Sequence, residues 1–319
     1  MKTFVTLMLC LLPVTVFAQA HDEISLAMEE FDYDKVIHLI APDTKDSLLL
    51  STRIQALKAM NRYPEAIVGL TSLIVKDSAD TKVLIDLAEC YKLMGSPRQA
   101  ANYYQKAVSL RPENKFFRLQ YIRSLLNAED FKEAREACHG WLEQDTVSAT
   151  GYKYLGQAYE GMQDISNAFF SYNIAYRRDS LDAQTVARIA NIFNNNQQFA
   201  DAVDVTERYR LTDTTSVDVN RQNAKAYCML KDYKTAIERY ESLKRMGDRS
   251  FLTSYYLGIS YYGDNWFYGS YDNLKEAYAK NPTDINVLYY YAKSCSRSSW
   301  KKEGVEFMEK AVEIASPND

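Results

Sequence analysis

Cysteine and histidine form most protein metal sites and many nucleophilic centres, and this chain uses both residue types sparingly. Beyond the N-terminal apolar stretch the cysteines are Cys90, Cys138, Cys228 and Cys295, and no two of them form a CxxC pair. The histidines stand apart from one another, and His139 would point about 100° away from its neighbour Cys138 on a helix. The sequence therefore predicts small buried thiols, no metal site and no bound cofactor.

The sequence motifs of common enzyme classes are also missing from the chain. It contains no glycine-rich phosphate loop, no GxSxG and no HExxH, and its carboxylates are spread along the sequence. We therefore expect no catalytic residues and no enzymatic activity.

Tyrosine and the side-chain amides are the residue types here best suited to binding a partner. The chain has 25 tyrosines, many of them in the stretch SYYLGISYYGDNWFYGSYD, and an amide-rich stretch has the sequence NIFNNNQQF. Tyrosine combines a large rigid ring with a hydroxyl, and amides both donate to and accept from an extended backbone. These stretches favour a binding protein over an enzyme.

Charge and hydropathy limit the possible partners and locations. The 319 residues carry a net charge of −4 at pH 7, which does not indicate a nucleic-acid-binding protein.

One lysine precedes an apolar run from Phe4 to Phe17, and Ala18 and Ala20 follow. This pattern predicts a signal peptide over 1–18, cleaved after Ala18 or Ala20, and an exported, periplasmic protein. No later apolar run is long enough to predict a membrane span.

A period of 34 residues organises the rest of the chain. Small residues recur at this spacing at Ala66, Ala100, Ala134, Ala168, Ala202, Ala236, Ser270 and Gly304. A second column of mostly small residues lies twelve positions earlier, and bulky residues recur at helical steps around both columns. The pattern therefore predicts a helix, a tight turn and a second helix in each unit, with small residues permitting close helix contact. One such pair cannot bury its apolar face alone, so the units must stack.

The unit LAECYKLMGSPRQAANYYQKAVSLRPEN resembles a tetratricopeptide repeat. Its signature positions are Leu87, Ala88, Tyr91, Gly95, Ala100, Tyr104, Ala107 and Pro112. The resemblance covers about 47–316 and implies an all-α fold, a right-handed α-solenoid of antiparallel helix pairs with about eight or nine repeats. We expect a degenerate helical hairpin over 19–46 and eight 34-residue units over 47–319.

The resemblance also implies that the first helix of each unit lines a concave groove. Carried onto this sequence, the groove positions include the candidate partner-binding residues Lys92, Arg123, Lys153, Gln157, Asn191, Asn194, Arg221, Lys225, Tyr255, Tyr262, Tyr289 and Lys293. Basic residues outnumber acidic ones at these positions, which favours an acidic peptide, a carboxylate terminus or an anionic glycan. Each group of residues also has an interpretation without a partner. The charged residues could simply be solvated on their helices, the amides could form a polar helix end, and the tyrosines could pack in the core.

Two functions are compatible with these residues. The first is a non-catalytic scaffold or adaptor of the bacterial envelope that binds an extended or acidic segment of a partner protein in the groove. The second is a glycan- or peptidoglycan-binding module that uses the groove aromatics. The lysine–asparagine pair with which cytosolic chaperone adaptors of this family hold a carboxylate is absent, because Lys153 and Gln157 are its nearest match.

The last helix, KKEGVEFMEKAVEIA, lacks the polar face of a terminal repeat. We expect Val305, Met308, Ala311 and Val312 to face the preceding helix, with Phe307 and Ile314 forming a second apolar stripe. This edge of the repeat array is a candidate surface for self-association.

Overall fold

The computed structural model describes residues 21–76 and 79–316, and all regular elements within these ranges are helices. The predicted signal peptide over 1–18 and its cleavage site lie outside the described residues. The chain folds into two compact units, Met1–Gln144 and Asp145–Asp319. The expected single repeat domain over 47–319 stays a prediction.

The first unit contains eight helices in its described part. They are α1 over 21–29, α2 Tyr33–Leu39, α3 Ser47–Ala59, α4 Tyr63–Lys76, α5 Thr81–Leu93, α6 Pro97–Leu110, α7 Lys115–Asn127 and α8 Phe131–Gln144. From α2 to α8 each helix packs on the next. The helix–turn–helix organisation inferred from the period is therefore confirmed in this unit, and α1 and α2 form the short hairpin that precedes it.

The second unit contains ten helices in its described part, and each packs on the next. They are α9 Ala149–Gly161, α10 Ile165–Arg178, α11 Ala183–Asn195, α12 Phe199–Arg210, α13 Val217–Met229, α14 Tyr233–Arg245, α15 Phe251–Gly263, α16 Phe267–Lys280, α17 Ile285–Ser296 and α18 Lys301–Ala315. We call the odd-numbered helices from α3 to α17 the first helices of their pairs and the even-numbered helices from α4 to α18 the second helices.

Every first helix begins after a capping residue, and these residues follow the 34-residue period. Their side chains accept hydrogen bonds from backbone amides of the first turn, which would otherwise lack partners. The capping residues are Asp46, Asp80, Asn114, Ser148, Asp182, Ser216, Ser250 and Asp284. The start of each pair is thus encoded locally.

The turn inside each pair from α3–α4 to α15–α16 contains one residue in the left-handed region. Its φ angle lies between 59° and 70° at Asn61, Gly95, Glu129, Gln163, Gln197, Lys231 and Asn265. Only one of these seven is glycine, the residue that adopts this conformation without steric cost. The turn geometry therefore repeats even where the sequence signature does not.

Small residues let the helices of a pair approach closely, as the spacing predicted. Tyr104 and Tyr172 are fully buried. Ala100, in the same helix as Tyr104, and Ala168, in the same helix as Tyr172, are also fully buried. A β-carbon placed on Gly156 would lie 2.6 Å from the Tyr172 ring, so no larger residue fits there without movement.

The last helix, α18, packs through a face that matches the expected one only in part. Val305 and Val312 are exposed, whereas Phe307 packs with its ring centroid 4.4 Å from that of Tyr291. The prediction that the two valines face α17 is therefore wrong. Ala311, from the expected face, is buried, and so is Gly304. These small residues allow α18 to approach α17, and Phe307 packs beside them.

A carboxylate links two second helices in the second unit. Glu276 of α16 pairs with Lys244 of α14 at 3.0 Å and with Lys280 at 2.9 Å. Partial burial opposes its ionisation, but the hydrogen bonds from Lys280 and Lys244 outweigh that effect and lower the pKa of Glu276 from 4.5 to about 2.

This lowered pKa predicts how stability depends on pH. A carboxylate with a lower pKa in the folded state stabilises that state above its unfolded pKa, and the contribution is lost as the pH falls through the folded value. We expect Glu276→Gln to be less stable than the native chain at neutral pH. This difference should shrink between pH 4.5 and about 2 and vanish below that range. Urea unfolding across this pH range tests it, with Glu309→Gln, at an exposed site on α18, as the control. An E276Q deficit that persists unchanged below pH 2 would contradict the assignment.

No helix in the described ranges is long and apolar enough to cross a membrane.

Candidate functional site

The first helices of the second unit are neighbours and form one surface. Helix α11 packs on α13, α13 on α15, and α15 on α17, while polar contacts join α9 to α11. We call the surface of α9, α11, α13, α15 and α17 the first-helix surface. Most of the predicted partner-binding residues lie on these helices.

Several of the predicted cations on this surface form ion pairs or hydrogen bonds with side chains of the next or preceding repeat. The Lys153 ammonium pairs with Asp182 at 2.9 Å, and Arg221 pairs with Asp248 at 2.9 Å. Lys225 donates to the Asn195 side chain at 3.2 Å. These side chains connect neighbouring repeats, and carboxylates at the cap Asp182 and the turn residue Asp248 offset the charge of Lys153 and Arg221.

The predicted amides are also partly enclosed. Asn194 is 3% exposed and donates to the backbone and side chain of Gln222, which removes it from the accessible surface. Gln157 is half-buried, and its amide nitrogen has no hydrogen-bonding partner among the described residues. Asn191 is half-buried and lines a cavity of about 260 Å³ together with Arg188.

The first unit carries the remaining two predicted cations, Lys92 and Arg123. Both are exposed, and neither forms an ion pair within the part of the chain that the structure describes. They lie on α5 and α7, and they do not line the two cavities formed by Ile54 and Leu70 and by Tyr121 and Trp141 in the described part of that unit.

Three predicted residues, Tyr262, Tyr289 and Lys293, come together where α15 and α17 end. Tyr262 and Lys293 line a pocket of about 290 Å³, and Tyr289 lies beside it. We call this the α15–α17 pocket, lined by Tyr233, Ile259, Tyr262, Gly263, Asn265, Phe267, Tyr290, Lys293 and Arg297.

Local geometry explains how these residues converge. Lys293 and Arg297 are four residues apart at the end of α17 and therefore lie on one side of it. Gly263 leaves room for Tyr233, because a β-carbon on Gly263 would lie 2.4 Å from the Tyr233 ring. Asn265 has a φ of 64° in the turn after α15 and brings Phe267 to the pocket wall.

The pocket combines positive charge with aromatic walls. The Lys293 ammonium lies 5.1 Å from the ring centroid of Tyr262 and 4.9 Å from that of Tyr289, and it donates to the Tyr289 hydroxyl at 3.3 Å. This hydrogen bond raises the pKa of Lys293, so the ammonium stays charged. The Arg297 guanidinium lies 5.8 Å from the Phe267 centroid. Neither cation pairs with a carboxylate within residues 21–76 and 79–316.

Tyr255, the remaining predicted tyrosine, is a packing residue. Its ring stacks on Phe251 with centroids 5.9 Å apart and contacts Tyr256 at 5.0 Å. Burial raises the pKa of Tyr255, in keeping with its half-buried position. Tyr289, in contrast, is 42% exposed beside the pocket.

Sequence reasoning missed several pocket residues, among them Tyr233, Asn265 and Phe267. Tyr233 begins α14, Asn265 lies in the turn after α15 and Phe267 begins α16, so all three are outside the first-helix positions that the family resemblance singled out. Arg297 follows Lys293 by four residues, and this spacing is the signal that could have identified it.

Comparisons with known proteins agree with this fold. Residues 93–157 match the family model described as tetratricopeptide repeat. The DnaJ homolog subfamily C member 7 homolog of Dictyostelium discoideum is 33% identical over 138 residues, which is 43% of this chain and 23% of that protein. The chain thus spans less than a quarter of this curated relative.

Two solved structures resemble the chain at low sequence identity. A tetratricopeptide repeat protein from Parabacteroides merdae ATCC 43184 is 13% identical with a TM-score of 0.53, covering 74% of this chain and 93% of its own. A chain of the APC/C hetero-tetramer Cut9–Hcn1 is 14% identical with a TM-score of 0.55, covering 85% of this chain and 53% of its own. At these identities the likeness concerns the fold alone. The match to the tetratricopeptide repeat family model thus concerns residues 93–157, and the two structures agree with most of the chain in fold.

Proposed function

We propose that the protein is a non-catalytic adaptor that holds a segment of a partner protein on the first-helix surface of its second unit. Tetratricopeptide repeat proteins generally mediate contacts between proteins. The observation that carries the proposal is the α15–α17 pocket, where two cations without carboxylate partners in the described part of the chain line an aromatic cavity.

Exposed apolar side chains along the two helices that end at the pocket support a protein partner. Leu252, Ile285 and Tyr289 of α15 and α17 are each more than 40% exposed. A partner segment that covers them removes apolar area from water, which is the main favourable contribution at protein interfaces.

We further propose that the adaptor acts in the bacterial envelope. This part of the proposal rests on the N-terminal residues alone, in which a lysine, an apolar run and the small residues Ala18 and Ala20 follow one another. Self-association through α18 also stays a prediction, and the exposed Val305, Val312 and Ile314 are the residues that support it.

A glycan-binding module remains the second candidate, because the pocket gathers several aromatic side chains. A sugar would stack on ring faces, but the Lys293 ammonium lies over the rings of Tyr262, Tyr289 and Tyr290. This arrangement favours an anionic group over a neutral sugar. Co-sedimentation with purified peptidoglycan that depends on Tyr289 would favour the glycan alternative.

Site-specific photocrosslinking in the native host tests the adaptor proposal. We expect p-benzoylphenylalanine at position 289 to form one discrete crosslinked protein band. The same probe at Phe170, which is 66% exposed on the second helix α10, serves as the matched control and should not form that band. Absence of a band from position 289, or equal bands from both positions, would contradict a partner on the first-helix surface.

A further inference from the structure

A mostly apolar cavity lies in the first unit, where α6, α7 and α8 meet. Its volume is about 240 Å³, and its walls include Val108 of α6, Tyr121 and Ile122 of α7, and Trp141 of α8. None of its lining residues is a carboxylate. We call it the α6–α8 cavity, and it shares no helix with the α15–α17 pocket.

Two small residues of α8 leave this space open. Ala137 and Gly140 line the cavity, whereas Tyr103 and Lys106 hold the equivalent positions of α6, 34 residues earlier. A β-carbon on Gly140 would meet no atom of the described chain within 4 Å, in contrast to one on Gly304. Glycine destabilises a helix interior relative to alanine, and no close helix contact in the described ranges accounts for Gly140.

The Trp141 side chain brings an unused hydrogen-bond donor to this cavity. The residue is 3% exposed, and its indole N–H has no hydrogen-bonding partner within the part of the chain that the structure describes. An indole nitrogen can only donate, and a buried donor without an acceptor destabilises the folded state. An acceptor atom on a bound molecule is the partner that the chain itself does not supply.

The charged group at one end of the cavity already has partners. Arg118 is 8% exposed, and its guanidinium donates to the Pro112 carbonyl oxygen and to the Gln144 side-chain oxygen. These contacts turn its donors toward oxygen atoms of the chain, and little of its charge is accessible. The cavity therefore suits an uncharged ligand with an apolar body.

The size and surroundings of the cavity favour a small molecule over a protein partner. Cavities of about 150 Å³ bind benzene, so about 240 Å³ is enough for one ring with a short substituent. The exposed residues of α8 are polar or glycine, among them Glu136, His139 and Glu143. A protein partner would need apolar surface around its central side chain, and α8 does not provide it.

We propose that the α6–α8 cavity binds an uncharged molecule of one-ring size that carries a hydrogen-bond-accepting oxygen, such as an aryl ketone. The ring contacts Tyr121 and Ile122 and occupies the space beside Gly140, and the oxygen accepts from the Trp141 indole N–H. This binding site goes beyond the adaptor function, and neither proposal depends on the other.

A matched pair of probes tests the site on the purified full chain. Acetophenone and ethylbenzene have nearly the same shape, but only acetophenone carries an oxygen. The chain has three tryptophans, and Trp141→Phe identifies the indole signal of Trp141 in a ¹H–¹⁵N correlation spectrum. Acetophenone should move this signal downfield with a dissociation constant of about 1 mM or lower. Ethylbenzene should not move it downfield, because it offers no acceptor.

Three variants locate the binding by ligand-detected NMR. Gly140→Leu places a side chain in the cavity and should weaken both probes about tenfold or more, while leucine favours the helix more than glycine does. Ser72→Leu adds the same side chain at the equivalent exposed position of α4 and should bind as the native chain does. Trp141→Phe removes the donor and should weaken acetophenone about fivefold relative to ethylbenzene. Circular dichroism checks that all three fold.

Each of several results would overturn the proposal. These are an unmoved Trp141 signal at saturating acetophenone, equal binding to G140L and the native chain, or equal effects of W141F on the two probes. Tighter binding of benzoate than of acetophenone would show that Arg118 attracts an anion and would contradict an uncharged ligand. The photocrosslink from position 289 reports on the adaptor proposal whichever result is obtained.

Discussion

Tyr240→Ala is expected to lower the free energy of unfolding of the second unit by about 4 kcal/mol. Tyr240 is fully buried, and its ring lies parallel to that of Tyr256 with centroids 6.3 Å apart. It packs in one cluster with Leu243 and Leu257, and alanine would leave a cavity that these rigid neighbours cannot fill. Urea unfolding followed by far-ultraviolet circular dichroism measures the loss.

A matched pair of phenylalanine variants separates the ring from the hydroxyl. The Tyr240 hydroxyl has no hydrogen-bonding partner in the described chain, whereas the Tyr172 hydroxyl donates to Glu160 at 2.7 Å. Removing an unpartnered buried hydroxyl removes a desolvation cost, while removing a bonded one leaves its acceptor unpaired. Tyr240→Phe should therefore be neutral or stabilising, and Tyr172→Phe should cost about 1–2 kcal/mol. If both lose stability equally, the Tyr240 hydroxyl has a partner and this interpretation of its surroundings is wrong.

Gly304→Ala is the second large effect, with an expected loss of about 2 kcal/mol. A β-carbon on Gly304 would lie 2.8 Å from the Cys295 β-carbon and 2.9 Å from the Ala292 carbonyl oxygen. Because one of these atoms belongs to the backbone, α17 and α18 would have to move apart. Thermal unfolding should show the loss, together with earlier proteolysis of the C-terminal helix.

Gly140→Ala is the matched control for this substitution. Gly140 lies within α8, and a β-carbon there would meet nothing within 4 Å. Alanine favours a helix interior over glycine by about 0.5–1 kcal/mol, so this variant should gain stability. A Gly304→Ala chain as stable as the native one would show that α18 does not pack as tightly as described.

Much of the fold could be predicted because its signals are local and periodic. The columns of small residues at Ala100 and Ala168 defined the helix pairs, and the caps follow the same period. The packed face of α18 was predicted only in part. Ala311 is buried on it, but Val305 and Val312 are exposed. The expected stripe was wrong there because it followed the larger apolar residues. Gly304 belongs to the 34-residue column of small residues, so the period does mark it as a position of close helix contact.

The candidate site could be predicted only in part for a related reason. Tyr262, Tyr289 and Lys293 are first-helix positions that do meet at one pocket. Lys153 and Arg221 are also first-helix positions, but each forms an ion pair. Their partners are Asp182 and Asp248, which lie 27 or more residues later in the chain. Whether a cation lacks a carboxylate partner depends on the side chains of the next repeat. Counting the charges on one helix does not take those side chains into account.

The turn residues with left-handed backbone angles indicate how the thermal stability of the protein could be raised. Glu129, Gln163, Gln197 and Lys231 hold backbone angles that side chains with a β-carbon disfavour by about 1 kcal/mol or more each. Glycine at the same places would relieve that strain, less a smaller entropic cost in the unfolded chain. Glycine substitutions at these four turn positions should therefore raise the thermal stability of the protein without changing its core or the α15–α17 pocket.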